Sequence, residues 1–298
     1  MDTKVDHIIK RMGQLESARA PWESLWQDCT DFVNPRRGDF SIERGKGDRT
    51  RYDKVYDSTA PLANEQLASG LHGFLTSSAE QWFSLTIPQI DDILSQSVRN
   101  WLQGTTETMF DEVFNTPESN FTTSVHELYL DLGAYGTAVM YVDDRPGRPI
   151  NFRTFHLAEC YIAEDSEGRV DVLYRKYKHT ARQLVQMYPD QLPEKFIETA
   201  YKQPHQEFTC IHAVEPRDTY SPKTKMSTQM PFSSCYVLME EKILLDESGF
   251  NEFPYMVPRW SKTAGEIYGR SPAMTCLPDI RMVNEMTKTD IRPAQKLT

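Results

Sequence analysis

Apolar residues recur at helical spacing from the start of the chain: Val5, Ile8, Ile9, Met12 and Leu15, then Trp22, Leu25, Trp26, Cys29, Phe32 and Val33. Spacings of three and four mark one face of a helix. Pro21 is expected to start a second helix or kink the first, and Asn34-Pro35 to end it. The following PRRGDFSIERGKGDRTRYDK has no period, several glycines and dense charge, and reads as a long mobile or partner-ordered loop. Asp57, Ser58 or Thr59 is placed to cap a helix with Pro61 in its first turn and an apolar face of Leu67, Leu71, Phe74 and Leu75. Trp82 to Ile87 alternates as a short strand. A helix carrying Val98, Trp101, Leu102, Met109, Phe110, Val113 and Phe114 follows, then another from about Phe121 to Leu132.

After Gly136 the period changes to two. TAVMYVDD, INFRTFH, ECYIAEDSEGRVDVLYRKY, EFTCIHAV, SCYVLMEEKILLDES and PYMVPRW are strand-like runs, with DSEG and EEK as hairpin tips. Between them Thr180 and Gln183 form a capping box that opens a short helix. Helices, then an antiparallel sheet region with inserted helices, then a helix at the C-terminus predict an α+β fold.

Composition narrows the classes. The 298 residues suit one elaborate domain or two simple ones. At 39% hydrophobic residues and a mean hydropathy of −0.58, much of the chain is surface or surface that becomes interface. A net charge of −10 argues against a protein that grips nucleic acid over its whole face. The five cysteines are scattered singly, without CxxC, as buried reduced thiols would be. A charged N-terminus and the lack of any run of ~18–20 apolar residues point to a soluble intracellular protein with no membrane contact.

Catalytic signatures are absent: no phosphate-binding loop, dinucleotide fingerprint, zinc-protease helix or serine-hydrolase elbow occurs, and no two histidines stand at ligand spacing. Asp143-Asp144, with Glu159, Glu164 or Asp165, is a candidate carboxylate set for a metal-dependent nuclease, although Arg145-Pro146-Gly147 beside it is turn chemistry. Asp165-x-Glu167-Gly168 resembles a piece of a calcium loop but suits a hairpin tip. Arg36, Arg37, Arg44, Lys46, Arg49 and Arg51 form the one basic concentration; interleaved acids suit it better to inter-subunit salt bridges than to phosphate. A chain with 5 Trp, 14 Tyr and 14 Phe and no convergent catalytic set reads as a non-enzymatic structural or assembly protein, with no cofactor and no metal.

Near the C-terminus, Ile280, Val283, Asn284, Ile291 and Leu297 alternate with Arg281, Glu285, Lys288, Asp290 and Arg292 in an amphipathic helix that Pro293 is expected to end or kink. Its polar face is suited to salt-bridging a neighbouring subunit or lining a wet channel.

Tyr268-Gly269-Arg270-Ser271-Pro272, Leu277-Pro278-Asp279-Ile280-Arg281 and Asn284-Glu285-Met286 resemble the run leading into the stem helix of the head-to-tail connector, or portal, proteins of short-tailed bacteriophages. Tyr135-Gly136-Thr137-Ala138, the hairpin from Glu164 to Val170, Thr180-Ala181-Arg182-Gln183, and Glu16-Ser17-Ala18-Arg19 with Trp22 and Asn34-Pro35-Arg36 are similar to other blocks of that family, in the same order. The resemblance implies a helical part of the wing over residues 1–135, a β-rich wing over 136–265 and the start of a stem over 266–298. The family's clip, returning stem helix and crown are not represented, so the chain is expected to be the N-terminal part of a longer portal protein.

It further implies a homo-oligomeric ring, typically a dodecamer, at one vertex of the virion capsid, assembled in the host cytoplasm. Double-stranded DNA is packaged and ejected through it, with the major capsid protein, a separate terminase and tail adaptor proteins as partners. On this reading Arg281, Lys288 and Arg292 are the DNA-facing candidates. Tyr268, Arg270, Asp279 and Glu285 join Arg36, Arg37, Arg44, Lys46, Arg49 and Arg51 as subunit-interface candidates. The alternatives are another capsid or tail adaptor, or the nuclease built on Asp143, Asp144 and Glu159.

Overall fold

The computed structural model describes residues 2–41, 52–87, 95–144, 150–221 and 226–296, with side chains from residue 4 to residue 291 within those ranges. Helices α1 (Asp2–Phe32), α2 (Thr59–Leu75), α3 (Gln96–Thr108) and α4 (Phe121–Tyr135) precede strands β1 (Val139–Asp143), β2 (Asn151–Phe155), β3 (Cys160–Glu164) and β4 (Val170–Thr180). Then come α5 (Ala181–Met187), α6 (Glu194–Lys202), β5 (Glu207–Pro216), β6 (Phe232–Leu238), β7 (Ile243–Phe250), β8 (Tyr255–Met256) and α7 (Pro272–Lys296). The fold is α+β, as the change of period at Gly136 predicts.

The chain forms two compact units, Met1–Ser24 with Leu157–Tyr255, and Leu25–His156 with Met256–Thr298. In the first, β3 to β7 make a five-stranded antiparallel sheet in sequence order. Successive strand residues face opposite sides, and here both sides are covered. Ile211, Ala213, Cys235 and Val237 pack with Val5, Ile8, Met12 and Leu15 of α1. Phe208, Cys210 and Leu238 pack with Leu184 of α5 and Phe196 and Ala200 of α6. The Thr180 capping box is formed, its hydroxyl accepting from Gln183 N–H while the Gln183 amide oxygen accepts from Thr180 N–H. DSEG and EEK turn the β3–β4 and β6–β7 hairpins, the second with Lys242 at φ 53°.

Buried Arg19 holds the start of β3. Its guanidinium donates to the carbonyls of Leu157, Ala158 and Cys160 at 3.1, 2.8 and 3.1 Å, to Glu23 at 2.7 Å and to the Tyr161 hydroxyl at 3.0 Å. It also lies 3.7 Å from the centre of the Tyr161 ring.

The second unit joins a helical layer to a three-stranded sheet in the order β2-β1-β8. Ala68 of α2 and Val125, Leu128 and Leu132 of α4 pack with Met140 and Phe152. Three expectations need correction here. Trp82 to Ile87 has no regular secondary structure: its alternation serves packing, with Trp82 and Phe83 each edge-on to Phe114 at 5.3 Å, and its Leu85 N–H is satisfied by Thr106 Oγ1. The helix through Val98 ends as a π turn at Met109–Phe114, closed by Asn115 N–H to Phe110 O at 3.0 Å. On α2, Phe74 is 91% exposed because it points about 120° away from the line of Ala68, which meets α4.

Prolines interrupt less than expected. Pro21 lies inside the 31-residue α1, exposed, with Trp26 and Cys29 buried in the turns after it. Likewise α7 runs to Lys296, so Pro293 does not end it; one missing N–H late in a 25-residue helix leaves the neighbouring bonds in place. Four of the free cysteines are buried and Cys276 is exposed.

Candidate functional site

Two short blocks distant in sequence meet in the second unit. Tyr135-Gly136-Thr137 ends α4, and Tyr268 to Pro272 opens α7. Gly136 adopts the left-handed conformation, φ 74°, and donates its N–H to Leu132 O at 3.0 Å, which caps α4. Its carbonyl accepts from Trp260 N–H at 2.9 Å. Thr137 Oγ1 accepts from Gly269 N–H at 2.8 Å. The Ser271 hydroxyl donates to Ala134 O at 2.9 Å and accepts from Met274 N–H at 3.0 Å, capping α7 with Pro272 at the first helical position. A Cβ on Gly269 would collide with the Gly136 carbonyl oxygen and lie 2.9 Å from Arg259 Cβ, while one on Gly136 would lie 2.5 Å from the Arg270 carbonyl carbon. The end of α4 and the start of α7 are thereby locked together.

An aromatic nest lies beneath this joint. Tyr268 stands edge-on to Trp26 at 5.0 Å. Phe40 meets Trp26, Tyr135 and His156 at 5.2, 5.2 and 5.0 Å. The Tyr135 and Thr30 hydroxyls share a hydrogen bond of 3.1 Å, and His156 Nε2 donates to Gly38 O at 2.8 Å. Burial, and then the charge of Asp131, push the Tyr135 phenol well above its usual range. Arg37 grips the fully buried Asp131 through two bonds of 2.8 and 2.7 Å. Burial opposes the charge on Arg37, but Asp131 and Glu127 outweigh it and hold the guanidinium above its ordinary value.

Farther along α7, buried Asn284 clasps the segment before α2. Its side-chain oxygen accepts from Tyr56 and Asp57 N–H at 2.7 and 3.2 Å, and its amide donates to Lys54 O at 2.9 Å. Lys54 in turn pairs with Asp31 at 2.5 Å. Beside the clasp, a cavity of about 330 Å³ runs between α2 and α7, lined mainly by Ala60, Ala63, Leu67, Cys276, Ile280 and Val283, with Asp57 and Asp279 among its polar residues.

The structure distributes the expected site residues unevenly. Arg281 pairs with Asp28 and lies 5.9 Å from the Phe32 ring, and Lys288 reaches Glu285 at 2.8 Å and the Tyr56 ring at 5.4 Å. Arg36 meets Glu65 at 3.4 Å, Arg270 pairs with Glu266 at 2.9 Å, Tyr268 is buried, and Asp279 and Glu285 are exposed. Arg44, Lys46, Arg49, Arg51 and the side chain of Arg292 lie outside the described residues.

Of the carboxylate set, Glu159 is held by Arg175 at 2.9 Å, and Asp165 accepts from the Arg169 N–H and, with a smaller effect, the Glu167 N–H of its own hairpin, which lowers its pKa. Among the described residues no group of three His, Cys, Asp or Glu side chains is placed to hold a metal, and no helix is long and apolar enough to cross a membrane.

Sequence reading missed Asn284 as a clasp and Asp131 as the partner of Arg37. Both sit on helices whose patterns fit burial, and only a buried polar residue at an apolar position could have signalled them.

The sequence model of the family described as "Bacteriophage head to tail connecting protein" matches residues 5–298. The chain is 33% identical over 297 residues to the "Probable portal protein" of Bordetella phage BPP-1, an alignment that covers 97% of this chain and 52% of that protein. It is 30% identical over 302 residues to the "Portal protein" of Salmonella phage epsilon15, covering 100% of this chain and 54% of that protein. The chain spans about half the length of these curated relatives. With a match over nearly its whole length, and with the two blocks that carry the resemblance interlocked at one joint, this chain belongs to the bacteriophage head-to-tail connecting protein family.

Proposed function

We propose that this chain is part of a structural, non-enzymatic portal subunit. Copies of it form a ring at one capsid vertex of the virion, joining head to tail, and double-stranded DNA is packaged and ejected through the ring. The family match over residues 5–298 carries this reading. The joint supports it in physical terms: a portal needs a helix held at a fixed angle to its body, and Gly136, Gly269 and Ser271 hold α7 in that way. On this reading α7 belongs to the stem over residues 266–298, and residues 1–135 and 136–265 make the helical and β-rich parts of the wing.

The channel side of the stem carries Arg281, Lys288 and Arg292, where weak and rotationally repeated contacts let DNA slide. Arg36, Arg37, Arg44, Lys46, Arg49, Arg51, Arg270, Asp279 and Glu285 support the contacts between subunits; Tyr268, buried against Trp26, has no surface to offer a neighbour and holds the joint from within. The major capsid protein, a terminase and tail adaptors are the partners, and assembly takes place in the host cytoplasm. Light scattering of the purified chain, with negative-stain images, tests the reading: a mass near twelve copies and rings with a central hole are expected, and a monomer at every concentration and salt level overturns it.

A further inference from the structure

The cavity between α2 and α7 lies within the second unit and, at about 330 Å³, has room for a small organic molecule. Most of its lining is apolar, with Ala63, Leu67, Ile280 and Val283 prominent. Its charge is of one sign: Asp57 and Asp279 line it, and among the described residues no lysine, arginine or histidine does.

The polar groups stand at two ends. Asp57 N–H is held by Asn284 at 3.2 Å, so the Asp57 end lies beside the middle of α7, where Asp279 also is. Ser271 bonds Ala134 O, so the first turn of α7 lies beside Gly133 and Asn64, which line the other end with Pro272 and Ala273. Asp57 is half-buried and accepts one bond, from Thr59 N–H, while Asp279 is exposed; neither has a cationic partner among the described residues.

Asn64 is 6% exposed, and its amide nitrogen donates to Leu130 O at 3.2 Å, which directs the side-chain oxygen away from that carbonyl. The oxygen rests against Gly133, where a Cβ would collide with it, and both residues line the cavity. It accepts no hydrogen bond from a described residue. Buried oxygens are hydrogen-bonded as a rule, and the donor for this one has to come from the cavity. Asp57 and Asn64 are separated by roughly two helical turns, ~10 Å.

We infer that the cavity binds a small organic cation of the hydroxyaryl-alkylamine class. The ammonium lies at Asp57 and Asp279, the ring packs among Leu67, Ile280 and Val283, and a hydroxyl at the far end donates to the Asn64 oxygen. Such a molecule matches the one-signed charge, the apolar walls and the buried acceptor together. An anion would meet two carboxylates, and a hydrocarbon would leave the Asn64 oxygen without a donor. The site needs no neighbouring copy of the chain, so its outcome is separate from that of the ring reading.

The test is calorimetric titration of the whole chain with tyramine, with phenethylamine, which lacks the hydroxyl, and with tyrosol, which lacks the charge. Tyramine is expected to bind, with phenethylamine at least about threefold weaker and tyrosol at least about tenfold weaker. Asp57→Asn keeps an oxygen for Thr59 N–H and is expected to weaken tyramine at least about fivefold while leaving tyrosol unchanged. Ala63→Trp fills the cavity and is expected to abolish binding of all three, with circular dichroism to establish that each variant is folded. No tyramine binding at about 10 mM overturns the site. Equal affinities for tyramine and tyrosol overturn the cation, and equal affinities for tyramine and phenethylamine overturn the role of Asn64. Tyramine binding unchanged in Asp57→Asn places the amine elsewhere and overturns the inference even if Ala63→Trp fails to fold.

Discussion

At the scale of single residues, Gly269 has no room for a methyl group between the Gly136 carbonyl and Arg259. Gly269→Ala must push α4 and α7 apart, and a loss of about 2 kcal/mol or more in unfolding free energy is expected from urea titration. His212 carries a second prediction. It stacks on Tyr236 at 4.1 Å and bonds the Ser234 and Tyr255 hydroxyls at 3.0 and 2.9 Å. Burial, with a smaller contribution from the charge of Arg175, lowers its pKa from 6.5 to about 3. Below pH 6.5 the unfolded chain therefore takes up a proton that the folded chain refuses. The stability tied to this neutral ring is complete above pH 6.5 and is lost as the pH falls toward 3, at up to about 1.4 kcal/mol per pH unit. Unfolding measured at pH 6.5 and 5.0 should show the wild type losing about 2 kcal/mol more than His212→Gln.

At the scale of elements, α7 is fixed at two levels: by Ser271 in its first turn and by Asn284 three turns on. These anchors should separate experimentally. In Asn284→Ala, hydrogen exchange at the Tyr56 and Asp57 amides is expected to accelerate on the order of tenfold, with Met274 unchanged. Ser271→Ala should reverse that pattern, exposing Met274 N–H, and cost about 1–2 kcal/mol. The elements themselves were largely legible beforehand. The Thr180–Gln183 box and the two hairpin tips are local features, and each is found where the spacing put it. Trp82 to Ile87 was not, because alternation shows that a segment has two faces but not whether a neighbouring strand exists to pair with it.

At the scale of the whole molecule, each compact unit draws on segments far apart in sequence and has its own core. Arg19 closes the first of them, and replacing it by Met strands three carbonyls and the Glu23 carboxylate. A loss of about 3 kcal/mol is expected. Exchange should rise in the first unit, at Ile162 and Ile211, and leave the α4 amides of the second unit protected, a pattern that mass-spectrometric exchange resolves.

The sequence alone determined the change from helices to antiparallel strands after Gly136, the Thr180 cap and the hairpin turns, and the motif blocks that mark the family, because each depends on residues within a few positions of one another. Only the tertiary structure decided that Tyr135-Gly136-Thr137 interlocks with Tyr268 to Pro272, that Arg37 belongs to Asp131 and Arg281 to Asp28, and that Asn284 faces a loop more than two hundred residues earlier. It also decided that α1 passes through Pro21. A proline's local cost of ~3 kcal/mol is offset by the burial of several side chains in the turns around it, and a charge has no assigned partner until folding brings one within reach.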